Sequence, residues 1–210
     1  MKKLAIFIDW ENLRLDIQNI QRRNKNIQFN YNDASSVMQL IHSFICDDEE
    51  IYRIFFYTAQ PLDLEAESQN PKNKWLKGYI KNHTLEYAKM SQILPKIKKL
   101  LENISFCEYV ALRLGELKLR GLDSNSKLII NQKQVDMLLG LDISHIAYNK
   151  LADRILVFSK DNDIIPALKC ARTNGLNVFI THITGGFKIA NKLKLHSDGI
   201  RERELPNNII

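Results

Sequence analysis

The 210-residue chain reads as an α/β protein of three layers, with helices covering both faces of a mostly parallel central sheet. Three observations predict this. Two apolar runs of strand length, Leu4-Ala5-Ile6-Phe7-Ile8 and Ile155-Leu156-Val157-Phe158, end abruptly in polar residues. The first meets Asp9, with Asn12 three residues on, and the second meets Ser159-Lys160-Asp161-Asn162-Asp163. From residue 132 onward the pattern is helix, strand, helix, strand, and such alternation implies parallel strands joined by covering helices.

Taken in order, Leu13, Ile17 and Ile20 recur with helical spacing after the first strand. Asn32 or Asp33 caps a second helix whose apolar face includes Val37, Leu40, Ile41 and Phe44. Residues 51–57 are rich in strand formers and lie before Pro61, which predicts a second buried strand. Residues 63–73 are polar and loop-like, and 75–82 and 93–101 look helical. Residues 106–114 and 116–120 alternate as an extended ribbon kinked at Gly115, and 121–125 form a turn. Then come a helix over 133–148, a strand over 154–158, a helix over 164–174 stopped by Gly175, and a strand over 176–180. A last helix runs through Ile189, Leu193 and His196, and residues 205–210 carry no signal. One domain spanning 1–210 is expected, with 185–210 as its C-terminal extension.

Hydrophobic residues make up 45% and charged residues 26%, which excludes wholesale disorder. A net charge of +6 favours an anionic partner such as nucleic acid. Cys46, Cys107 and Cys170 are too few and scattered for a disulfide framework, and no Cys-x-x-Cys pair offers a zinc site. Met1-Lys2-Lys3 and the apolar run behind it stop at Asp9, too early for a signal peptide. No stretch has membrane-spanning length, and the expectation is a cytoplasmic protein.

Acids carry the chemistry. In open α/β sheets ligands collect outside the carboxyl ends of the strands, where Asp9, Asp161 and Asp163 project. The helix over 133–148 is expected to start at the same edge, bringing Asp136 in its first turn towards them. Asp142 falls in the middle of the stripe formed by Val135, Leu138, Leu139 and Ile146, so an acid faces the core. An unpaired carboxylate there costs several kcal/mol, so Asp142 requires a partner. It lies roughly 9 Å further along the axis than Asp136 and is expected to be a supporting residue. Carboxylates sharing a crevice repel unless neutralised, and oxygen-only ligands suit Mg²⁺ or Mn²⁺.

Structural explanations stand beside each of these readings. Asp9 ends a strand, Asn12 caps a helix, Asn131 and Gln134 have capping-box spacing, and Asp163 caps the helix behind it. Arg14, Arg113, Lys133 and Lys160 are candidate contacts for a nucleic-acid backbone or an ordinary solvated surface. Trp10 and Trp75 stack on bases or pack.

Three segments, Ile6-Phe7-Ile8-Asp9-Trp10-Glu11-Asn12-Leu13, Lys133-Gln134-Val135-Asp136 through Asp142, and Ser159-Lys160-Asp161-Asn162-Asp163, together resemble the NYN family of PIN-like, nuclease-related domains, which includes the LabA-like proteins. The resemblance implies a PIN-like, Rossmann-like α/β/α fold and an acidic site for a divalent metal. It implies Asp9, Asp136 and Asp161 as metal-holding and catalytic residues, Asp163 as a further ligand or orienting acid of the catalytic group, and Asn12 and Ser159 as supports. The family pattern has glycine after the serine and an aromatic after the last acid, where this chain has Lys160 and Ile164.

The expected function is a divalent-metal-dependent ribonuclease acting on RNA and leaving 5′-phosphate and 3′-hydroxyl ends. A rival reading is a non-catalytic RNA- or protein-binding regulator that retains the fold, and a third is a phosphatase or other phosphoryl-transfer enzyme. No membrane association is expected, and homodimerisation is left open.

Overall fold

The computed structural model describes residues 1–206. Seven strands form one sheet in the order β4-β3-β2-β1-β5-β6-β7. They are β1 (Lys2–Asp9), β2 (Glu49–Ala59), β3 (Val110–Leu122), β4 (Leu128–Lys133), β5 (Arg154–Phe158), β6 (Asn177–Ile183) and β7 (Gly199–Arg203). All neighbours are parallel except β3 and β4, which form an antiparallel hairpin.

The pleat sorts β1 between two cores. Leu4, Ile6 and Ile8 face one side, against α1 (Trp10–Arg23), α2 (Ala34–His42) and the distal part of α5 (Thr84–Ser105). Ala5 and Phe7 face the other, against α6 (Val135–Tyr148), α7 (Ile165–Thr173) and α8 (Asn191–Leu195). Every residue from Leu4 to Ile8 is fully buried. Such strands read as continuous apolar runs because helices cover both faces. The three-layer expectation holds.

Between β2 and β3 the chain makes a long helical excursion. It holds α3 (Leu64–Ser68), a 3₁₀ turn at Pro71–Asn73, α4 (Trp75–Asn82) and α5. Residues 63–73 are thus not a plain loop, because Asp63 accepts the Ala66 N–H and Asn70 that of Lys72, each starting a short helix. Nor does α5 wait until residue 93. It begins at Thr84 and runs through Pro95, with Tyr87 and Met90 packed on a small core of Leu64, Leu76 and Tyr79.

The ribbon also differs. Phe106 belongs to the end of α5, and β3 continues to Leu122 before turning back as β4, whose residues 128–131 the sequence assigns to no element and whose Lys133 it places in the following helix. Gly115 is required by close approach, since a Cβ there would stand 2.5 Å from the Lys133 carbonyl oxygen and 2.6 Å from Val135 Cγ2. Helix α6 therefore starts at Val135, after Gln134 in the left-handed conformation with no side-chain cap. The expected extension at 185–210 supplies α8 and the edge strand β7 to the same sheet, and residues 207–210 lie outside the described residues.

At the amino ends of the strands, Glu49 is fully buried and bonded by Arg201 at 2.5 and 2.8 Å and by Arg154 at 3.0 Å. Both arginines lie over the Phe179 ring. This knot ties β2 to β5 and β7, on the edge away from the acids.

Candidate active site

The sheet reverses its winding between β1 and β5, because β2 and β3 lie on one side of β1 and β5, β6 and β7 on the other. The crevice at the carboxyl ends of these two strands is where such sheets take ligands. Ile8 pairs with Phe158, so β1 enters it at Asp9 and β5 at Ser159.

Asp9 is the last residue of β1 and the cap of α1. Its Oδ1 accepts the Asn12 N–H at 3.1 Å, and its Oδ2 accepts from Ser159 Oγ at 3.4 Å. Asn12 is therefore the capped residue rather than the cap, and its own Oδ1 accepts the Lys160 N–H at 3.2 Å. Ser159 Oγ in turn accepts the Asp161 N–H at 3.2 Å. Asp161, not Asp163, caps the next turn, its Oδ1 accepting the Asp163 N–H at 2.9 Å. A continuous set of hydrogen bonds thus joins Asp9, Asn12, Ser159 and Asp161 across two strands.

By the alternation of β1, Asp9 lies on the side that faces α6, whose first turn carries the exposed Asp136. Burial pushes the Asp9 carboxyl up to about 6, and the charges of Asp136 and Asp161 add to the rise against the opposing bonds from Asn12 and Ser159. Asp136 is also raised, by burial and then by Asp161 and Asp163. The four sequence-predicted acids are thus linked electrostatically, with Asp9 buried, Asp161 half-buried and Asp136 and Asp163 exposed. As they stand, no three His, Cys, Asp or Glu side chains among the described residues are grouped to hold an ion. The donor set nevertheless fits a hard cation, being all carboxylate oxygen and self-repelling.

Asp142 is elsewhere, as its distance along α6 predicts. Its Oδ2 accepts from Tyr57 Oη at 2.8 Å and from Arg113 Nε at 2.9 Å. Tyr57 is fully buried, pairs with Asp9 on β1 and with Arg113 on β3, and its hydroxyl is held far above the ordinary range by burial and by Asp142. Asp142 is a brace between α6 and the strand beside Asp9.

Three of the four expected backbone-binding cations are engaged within the chain. Arg113 is bound to Asp142, and Arg14 Nε to Glu11 at 3.1 Å. Lys160 turns inward to Asp16 and is little exposed, and burial draws its ammonium below the usual range despite that partner. Lys133 is exposed at the end of β4 and forms no ion pair among the described residues. Trp10 is buried against Phe56, with ring centroids 5.3 Å apart, and Trp75 packs on the small excursion core.

Asp16 was missed by the sequence reading. It is 3% exposed, bonded by the Lys160 ammonium and by the Phe187 N–H at 2.5 Å, and it crowds Gly186, where a Cβ would come within 2.5 Å of its Oδ1. It therefore clamps the 185–187 turn against the strand-end residues. Its place among Leu13, Ile17 and Ile20 on the apolar face of α1 was the available signal.

The crystal structure of T5 D15 protein co-crystallized with metal ions is similar over 85% of this chain, at 14% identity and a TM-score of 0.40. The chain spans 54% of the length of that protein. No curated protein matches the sequence. The NYN domain model matches residues 3–200, nearly the whole described chain, and the protein therefore belongs to the NYN domain family.

Proposed function

We propose that the chain is a divalent-metal-dependent ribonuclease that hydrolyses RNA phosphodiester bonds, with Asp9, Asp136 and Asp161 as the residues that would hold Mg²⁺ or Mn²⁺. The observation that carries this reading is the convergence of carboxylates from β1, α6 and the segment after β5 on one crevice, where Asp136 and Asp161 act on Asp9, and Asp161 and Asp163 act on Asp136. Membership of a nuclease-related family supports the same chemistry.

A bound ion would neutralise the phosphate and supply an activated water. The chain's own residues prepare for it. The Asn12 N–H and Ser159 Oγ fix the two oxygens of Asp9, and Ser159 also receives the Asp161 N–H, so the deepest acid and its neighbour are oriented before substrate arrives. Asp136 and Asp163 are both exposed to solvent, and in this reading Asp163 would serve as a further ligand or orienting acid at the mouth of the crevice.

Labelled single-stranded and structured RNA incubated with Mn²⁺, Mg²⁺ or EDTA tests the proposal, beside Asp161→Asn, a substitution that keeps a capping side chain. Cleavage lost both in EDTA and in the variant is the expected result. Full cleavage by the variant removes the proposal. RNA bound by both proteins but cut by neither favours a regulatory binding module, and hydrolysis of a small phosphomonoester with RNA untouched favours a phosphatase.

A further inference from the structure

Away from the acids, the most uneven property of this molecule is its charge. Residues 72–133 hold 13 Lys+Arg against 5 Asp+Glu, a net +8, whereas the rest of the chain holds 17 against 19, a net −2. All of the positive excess therefore sits on α4, α5 and the β3–β4 hairpin.

This basic excursion joins the sheet at the rim of the acidic crevice. It leaves β2 at Ala59, two residues past Tyr57, the register partner of Asp9. It returns through Lys133, three residues before Asp136. Its small core holds Leu64, Leu76 and Tyr79 against Leu119 and Leu128, so the helices and the outer half of the hairpin form one body.

On that body the cations recur at helical spacing in two rows. Lys74, which caps α4 in helical conformation, and Lys77 and Lys81 within it are three and four residues apart on one face, and Lys89, Lys96 and Lys99 recur at seven and three along α5. All six are exposed, and none forms an ion pair among the described residues. No acid lies in α4, nor between Lys89 and Leu101 of α5. Like charges at this spacing destabilise a helix, and Lys74 and Lys77 sit at the start of α4, where the helix dipole favours an acid. An uncompensated arrangement of this kind becomes favourable against a linear polyanion.

We infer that this excursion is a docking arm for the phosphate backbone of a nucleic-acid strand, holding nucleotides that flank the one presented to the acids. Which strand is cut rests on the nuclease reading, but strand binding by the arm does not.

The test measures binding of a fluorescent uridine oligomer of about 20 nucleotides, in EDTA, across about 50 to 200 mM salt. Wild type is compared with Lys74→Gln/Lys77→Gln/Lys81→Gln and with a control, Lys25→Gln/Lys169→Gln/Lys192→Gln, that removes three exposed lysines elsewhere. Each phosphate contact contributes roughly 0.7 to the slope of log affinity against log salt, so the arm variant should lose about 2 units of slope and the control none. An unchanged slope in the arm variant, an equal loss in the control, or no binding by wild type overturns the inference. So does binding to phosphatidylserine vesicles with the oligomer ignored. Arm-dependent binding without metal-dependent cleavage upholds the arm while the nuclease reading falls, which separates the two.

Discussion

Removing the Asp9 charge should stabilise the metal-free protein while disabling its site. Asp9 is 6% exposed, faces Asp136 and Asp161, and has its carboxyl raised from 3.8 to about 6. Because the folded state holds its proton more tightly than the unfolded state, stability is greatest below the unfolded value and falls as pH rises towards 6. A displacement of about 2 units at 1.36 kcal/mol each corresponds to a penalty of about 3 kcal/mol, fully expressed above pH 6. Asp9→Asn keeps an oxygen for the Asn12 N–H and removes that penalty, so it should gain up to about 3 kcal/mol at pH 8 and almost nothing near pH 4. Urea denaturation in EDTA from pH 4 to 8 reads the difference directly. Mn²⁺ should raise the urea midpoint of wild type and leave the variant unmoved. A variant less stable than wild type at pH 8, or a difference that does not change with pH, would refute the account of Asp9 as a buried, mutually repelled carboxylate.

Other substitutions probe the scaffold around the acids. Gly115→Ala should cost about 1–3 kcal/mol in urea denaturation, because its Cβ meets the Lys133 carbonyl and Val135 at 2.5 and 2.6 Å. It should also lower metal-dependent cleavage, since those residues set the start of α6 and the place of Asp136. Arg113→Ala should destabilise by about 1–2 kcal/mol, and combining it with Asp142→Ala should cost less than the two single changes added, a coupling that a double-mutant cycle measures. Arg201→Ala leaves fully buried Glu49 short of its strongest partner and should cost about 3–5 kcal/mol, whereas Arg203→Ala on the same edge strand should cost far less.

The acids at strand ends were legible because their signals are local. Residues 4–8 and 155–158 are apolar throughout, so each break to Asp9 or Ser159 marks both the end of a strand and the beginning of a crevice. The helical period likewise exposed Asp142 as an acid on the wrong face, and its need for a partner followed from burial alone. Which partner could not follow. Tyr57 and Arg113 lie 85 and 29 residues away and reach Asp142 only through the pairing of β2 with β3. Lys160, in a loop beside the acids, looked free for phosphate, and only the fold brings Asp16 of α1 beneath it. The extent of α5 was hidden for a related reason, since its first half is cut off from the second by Pro95 and is held by a small core drawn from four other segments.

The sequence by itself determined the layered α/β class, the buried strands β1, β2 and β5, and the presentation of Asp9, Asp161 and Asp163 at strand ends. These depend on side-chain period and on abrupt changes of polarity, which are properties of neighbouring residues. Only the tertiary structure decided that β4 and β7 complete the sheet, that Asp9 is buried near Asp136, and that most of the basic residues first singled out are bound to acids of the same chain. Those outcomes depend on which distant segments meet, and a carboxylate or ammonium takes its chemical character from what burial and neighbouring charge do to it once they have met.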